Sequence, residues 1–111
     1  MDKIYISQGY TDLRLGIDGY ARIVQDEFDL NPFKNAIFLF CNKQRDKVKI
    51  LYWDSSGFWL LYKRLEKGHF QWKKAKEPGV ITITEQQMKW LMEGLKIEQK
   101  TAFKPLSCSA V

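Results

Sequence analysis

The sequence predicts an α+β fold: a twisted antiparallel β-meander of four to five strands with two helices packed on one face. Three observations carry that expectation. Residues 36–64, AIFLFCNKQRDKVKILYWDSSGFWLLYKR, contain three short apolar runs, Ala36–Cys41, Val48–Trp53 and Phe58–Tyr62. Each is rich in the β-branched, aromatic and large aliphatic residues that suit a pleated, half-buried surface. The breaks between them, KQRD (43–46) and DSSG (54–57), are short enough for hairpins, so consecutive runs should pair antiparallel. Finally, stretches 12–28 and 85–95 repeat their apolar residues at intervals of three and four, the spacing of one helical face.

Taken in order, Lys3–Ser7 sets Ile4 and Ile6 against Tyr5, a short strand signal. Gly9 and Thr11-Asp12 break it and can cap a helix. Leu13, Ile17, Tyr20, Ala21, Val24 and Phe28 mark that helix, from about Asp12 to Phe28. Gly16 and Gly19 each weaken it by ~1 kcal/mol relative to Ala. Two glycines so close imply either that something approaches the backbone or that the helix begins after Asp12. Asn31-Pro32 closes the segment, because proline lacks the N–H and disfavours helical geometry before itself.

In the meander, Val48, Ile50 and Tyr52 share one face of their strand, and Lys47, Lys49, Leu51 and Trp53 the other. The expectation is one buried face and one basic, aromatic face offered outward. The KQRD break should carry Lys43 and Arg45 into solvent, and DSSG should use Gly57 at positive φ. After Gly68, His69–Lys73 can add a strand with Phe70 and Trp72 on one face, and Val80–Ile83 a last one. Thr84-Glu85-Gln86-Gln87 has the form of a capping box, with Ile83 and Met88 placed as a hydrophobic staple. Met88, Leu91, Met92 and Leu95 complete an amphipathic stripe. Periodicity stops near Ile97, so residues 1–97 read as one domain and 98–111 as a flexible tail.

The 111 residues suffice for one core, and 45% apolar with 28% charged residues is an ordinary globular composition. No apolar run reaches the ~20 residues that span a bilayer. The N-terminus lacks the pattern of a signal peptide, which suggests a cytoplasmic protein with no membrane association. Cys41 and Cys108 suggest reduced thiols rather than a disulfide framework, and the single histidine removes most metal and triad chemistry. P-loop, dinucleotide and nucleophile-elbow motifs are absent, so neither a cofactor nor an enzymatic activity is expected. Asp12, Asp18 and Asp54 could in principle hold a metal, but they open a helix or begin a turn, where Asp is favoured for local hydrogen bonds.

Charge is unevenly distributed. Residues 41–76 carry ten basic and three acidic groups, a net of +7, whereas 1–40 carry −2 and 77–111 balance. The basic block is interleaved with Trp53, Trp59, Tyr62, Phe70 and Trp72. Such a block is what a phosphate-binding surface requires, and also what a solubilising lysine-rich face looks like. Composition leaves both open. The nucleic-acid-binding candidates are Lys43, Arg45, Lys47, Lys49, Lys63, Arg64 and Lys67, with Trp53 or Trp59 able to stack on a base.

Four stretches taken together bear a family likeness: TDLRLGIDGYARIV (11–24), NPF (31–33), FLFCNKQRDKVKILYWDSSGFWLLYKRLEKGHFQW (38–72) and ITITEQQMKWLMEGL (81–95). They closely resemble the TnpB accessory proteins of bacterial insertion-sequence family sixty-six, which are distinct from the RNA-guided nuclease of the same name. Ser56 and Gln44 depart mildly from that pattern. The resemblance implies a non-catalytic accessory factor for DNA transposition, encoded beside a transposase. Its partners would be that transposase, other proteins of the same element, and DNA. The alternative it leaves is a protein–protein adaptor that contacts the transposase or the other accessory protein without touching DNA.

Overall fold

The computed structural model describes residues 3–72, 77 and 79–99. Five strands, β1 (Lys3–Ser7), β2 (Ala36–Cys41), β3 (Lys47–Trp53), β4 (Phe58–Arg64) and β5 (Val80–Ile83), form one sheet in the order β4-β3-β2-β1-β5. Helix α1 (Ile17–Asp26) links β1 to β2, and α2 (Glu85–Met92) follows β5. The α+β class and the β2–β3–β4 meander are as the sequence predicts. The sheet is mixed, however, because β1 runs parallel to β2 while every other pairing is antiparallel. A parallel pair needs a crossover rather than a hairpin, and α1 supplies it.

The helices lie on opposite faces of the sheet rather than on one. β2 explains why. All six of its residues are buried, so both faces of this central strand need cover. Ala36, Phe38 and Phe40 pack with Leu51 beneath Tyr20 and Val24 of α1. Ile37, Leu39 and Cys41 pack with Ile4, Ile6, Val48, Ile50 and Ile83 beneath Leu91 of α2, helped by Phe70 and Trp72. It follows that the Lys47–Lys49–Leu51–Trp53 side of β3 is no open basic face. It is the side that α1 covers, with Leu51 fully buried.

Helix α1 begins at Ile17, with Gly16 as its N-cap. Gly19 is there for a close approach, since a Cβ on it would meet the Leu15 Cβ at 2.9 Å. The capping box of α2 is formed: Gln87 N donates to Thr84 Oγ1 at 3.0 Å, and Thr84 N donates to Gln87 Oε1 at 2.9 Å. This helix stops at Met92, short of the predicted Leu95. Gly94 takes φ 85°, its N–H reaches the Leu91 carbonyl, and Leu95 N–H reaches that of Trp90. That paired closure satisfies the carbonyls of Trp90 and Leu91, and Leu95, expected in the apolar stripe, is left exposed beyond it.

Residues 69–72 form no strand, although Phe70 and Trp72 do share one buried cluster. The indole of Trp72 donates to the Ser7 carbonyl at 3.0 Å, tying this segment to the sheet by a side chain. Lys73 and most of the tail expected from 98 onward lie outside the described residues. Among the described residues, no helix is long and apolar enough to cross a membrane.

Candidate nucleic-acid interface

The end of the sheet where β2 passes into β3 is built around Asn42. This buried side chain accepts from Asp46 N at 3.1 Å and Lys47 N at 3.0 Å, and donates to Asp46 Oδ1 at 2.7 Å. Arg45 sits in the left-handed region at φ 61° and donates its N–H to the Asn42 carbonyl. A non-glycine residue in that region costs roughly 1–2 kcal/mol, which the Asn42 network offsets. The segment after β4 is strapped to the same turn. Leu65 N donates to the Asp46 carbonyl and Phe70 N to that of Arg45, while His69 Nδ1 lies 2.9 Å from the Gln44 carbonyl oxygen. Lys67 is thereby held beside the turn that carries Lys43 and Arg45.

Among the described residues, three ion pairs occur at this end. Arg14 meets Asp12 at 2.9 Å, Lys47 meets Asp46 at 3.5 Å, and Arg64 meets Glu66 at 2.8 Å. The hydrogen bonds from Arg14 lower the Asp12 carboxyl to about 2, and the Asn42 amide holds Asp46 below its ordinary range. Both carboxylates therefore stay charged at neutral pH. Among the described residues, Lys43, Arg45 and Lys67 have no acidic partner. The end thus gathers six cations against three anions, and its three uncompensated charges lie on two loops bonded to each other.

Arg14 belongs to this end too, although sequence reasoning misses it. It shares a cleft of about 530 Å³ with Tyr10, Asn42, Lys43 and Lys47. Some thirty residues separate it from that turn, so no local pattern marks it. Tyr20 fixes its loop: the buried ring packs on Phe40 at 4.7 Å, and the hydroxyl donates to the Asp12 carbonyl at 2.8 Å. Burial pushes that phenol up to about 12, which keeps it a donor.

The other sequence-selected residues lie elsewhere. The Lys49 ammonium donates to the Leu15 carbonyl at 2.9 Å and lies over the rings of Tyr20 and Tyr62. The Lys63 ammonium donates to the Met92 carbonyl at the C-terminus of α2, where a cation suits the helix dipole. Trp53 packs with Phe33 and Phe58 at centroid separations of 5.0 and 4.9 Å, at the opposite end of the sheet. Trp59 is exposed near that end, its indole N–H donating to Asp54 Oδ2 at 2.7 Å. Five strand positions separate Trp59 from Arg64, roughly 17 Å. The sequence candidates therefore divide into a basic end, two committed lysines and a distant aromatic end.

The DSSG turn is organised by Asp54, whose Oδ1 accepts from Ser56 N, Ser56 Oγ and Gly57 N, each at 2.9 Å. Asp54 thus has the local role its position suggests, and no carboxylate cluster able to hold a metal occurs among the described residues. The positive φ of this turn falls on Ser55, at 81°, and not on Gly57 as expected. Asp54 folds back to cap the amides of Ser56 and Gly57, which places the reversal two residues earlier than expected. Cys41 is buried in the core, and burial pushes its thiol up to about 12, so it is no nucleophile.

A sequence model of the family described as "IS66 Orf2 like protein" matches residues 2–102. The uncharacterized protein y4hO of Sinorhizobium fredii is 34% identical over 93 residues, covering 84% of this chain and 80% of the relative. A second uncharacterized protein of that organism, y4jC, is 28% identical over 106 residues, covering 93% and 90%. No solved structure matches the chain significantly.

Proposed function

This chain belongs to the IS66 Orf2-like family of insertion-sequence accessory proteins, and from that premise we propose that it serves transposition by binding nucleic acid through the basic end of its sheet. The observation that carries this reading is the group of Lys43, Arg45 and Lys67, left without acidic partners on two mutually bonded loops. Backbone hydrogen bonds already order the loops that carry these cations, so binding phosphates costs side-chain freedom but little loop ordering. Lys47, Arg64 and Arg14 stand beside them and can exchange a carboxylate for a phosphate. Lys49 and Lys63 would first have to abandon a carbonyl. Trp59 stays available for stacking, at a distance that corresponds to about five phosphates along one strand.

In this reading the role is positioning: the site offers cationic donors on anchored loops. Such donors bind the backbone and carry no sequence information, so element-end and unrelated DNA should bind alike. The test is fluorescence anisotropy with both DNAs over a salt series, comparing the natural chain with a triple reversal of Lys43, Arg45 and Lys47 to Glu. The slope of log affinity against log salt should fall by roughly 0.9 for each phosphate that the variant no longer engages. Lys43 and Arg45 should account for most of the change, because Lys47 is already half-neutralised by Asp46. Absence of salt-dependent binding by the natural chain would give first place to the adaptor reading, in which the basic end only solubilises.

A further inference from the structure

We propose that β4 is the contact edge for a second copy of this chain, the two strands pairing antiparallel about Leu61 to make one continuous ten-stranded sheet. β4 ends the strand order, so along its seven residues alternate backbone N–H and C=O groups face outward with no strand among the described residues to meet them. The strand is also apolar on both faces: Trp59 is 56% exposed and Leu61 51% on the α2 side, and Tyr62 is 53% exposed on the α1 side, three of the five most open large hydrophobics among the described residues. An edge strand with exposed apolar side chains on both faces is a template for another strand.

The sequence of the strand selects the occupant. Among antiparallel pairings, only the one centred on Leu61 engages all seven residues of FWLLYKR with a second copy of themselves. It sets Phe58 opposite Arg64, Trp59 opposite Lys63, Leu60 opposite Tyr62, and Leu61 opposite itself. Each outer pair then matches an aromatic ring with a cation. Asp54, bonded to the Trp59 indole, adds a carboxylate at the end where the partner's Lys63 would exchange its Met92 carbonyl for this contact. Parallel pairing would set Lys63 and Arg64 against their own like charges. This pairing is independent of nucleic-acid binding. If both hold, Trp59 and Arg64 belong to the interface between copies, and Lys43, Arg45 and Lys67 remain available on the turns.

Sedimentation velocity on the full chain and cysteine cross-linking test this together. The natural chain should sediment as a dimer. Leu61→Asp sets a like charge opposite itself and should give a monomer with an unchanged circular dichroism spectrum. Mixing it with Leu61→Lys should restore the dimer. In a Cys108→Ser background, Leu61→Cys should bridge readily on oxidation, since directly opposed Cα atoms stand about 4.5–5.5 Å apart. Trp59→Cys should not, because its own counterpart lies roughly 14 Å away. A monomeric natural chain overturns the proposal, as does a dimer that survives Leu61→Asp. Bridging through Trp59→Cys but not Leu61→Cys overturns the register.

Discussion

Leu91→Ala removes the anchor of α2. Leu91 is 1% exposed and is the one fully buried residue of that eight-residue helix, packed in the cluster that holds Ile6, Phe70, Trp72 and Ile83. Truncating a buried leucine costs about 2–5 kcal/mol, and more where the cavity cannot collapse. Leu91 also lines a cleft of about 300 Å³ with Ile6, Trp72, Ile81 and Ile97, so the space it vacates merges with an opening that water can enter. That places the expected loss near the lower end, about 2–3 kcal/mol. For a domain of this size the midpoint should fall by roughly 8–24 °C. Leu51→Ala is the companion. That leucine is equally buried but sits against Tyr20, Val24, Phe38 and Phe40, so its truncation should cost more, about 3–5 kcal/mol. Urea unfolding followed by tryptophan fluorescence and far-ultraviolet circular dichroism measures both. A loss below about 1 kcal/mol for Leu91→Ala would refute the packing of α2 on the sheet. A Leu91 cost exceeding that of Leu51 would refute the role given to the open cleft.

The DSSG turn supplies two further tests. Ser55→Gly should stabilise the protein by up to about 1 kcal/mol by relieving a left-handed residue, whereas Gly57→Ala, with open space at its Cβ, should stay within about 0.5 kcal/mol; the reverse order in thermal melts would refute the turn geometry. The Asp54 carboxyl is held well below the carboxylate range, first by the Trp59 indole and then by Ser56 and Gly57. Its contribution to stability is therefore complete above an unfolded pKa of about 3.9 and lost as pH falls toward the folded value. Asp54→Asn should flatten the acid limb of the stability–pH curve below about pH 4, and an unchanged limb would show that this turn is not part of the acid response.

The sequence by itself determined the α+β class, the meander of β2, β3 and β4, the capping box of α2 and the existence of a basic middle third. These are local properties. Strand periodicity, short breaks and the Thr84–Gln87 pair act within a few residues, so local order suffices to read them. The run Ala36–Cys41 even held the clue that both faces of β2 are covered, since a strand with one wet face would alternate. Only the tertiary structure decided that β1 pairs parallel to β2, that the helices take opposite faces, and which cations are left without partners. Lys49 and Lys63 look like Lys43 in sequence. They differ because the Leu15 and Met92 carbonyls lie 34 and 29 residues away along the chain, yet within 2.9 and 2.7 Å in space. The same holds for Arg14, which the crossover through α1 brings to the turn of Lys43. Whether a charge is spent inside the protein or left to meet a ligand depends on contacts between residues distant in the chain, and no periodicity encodes those.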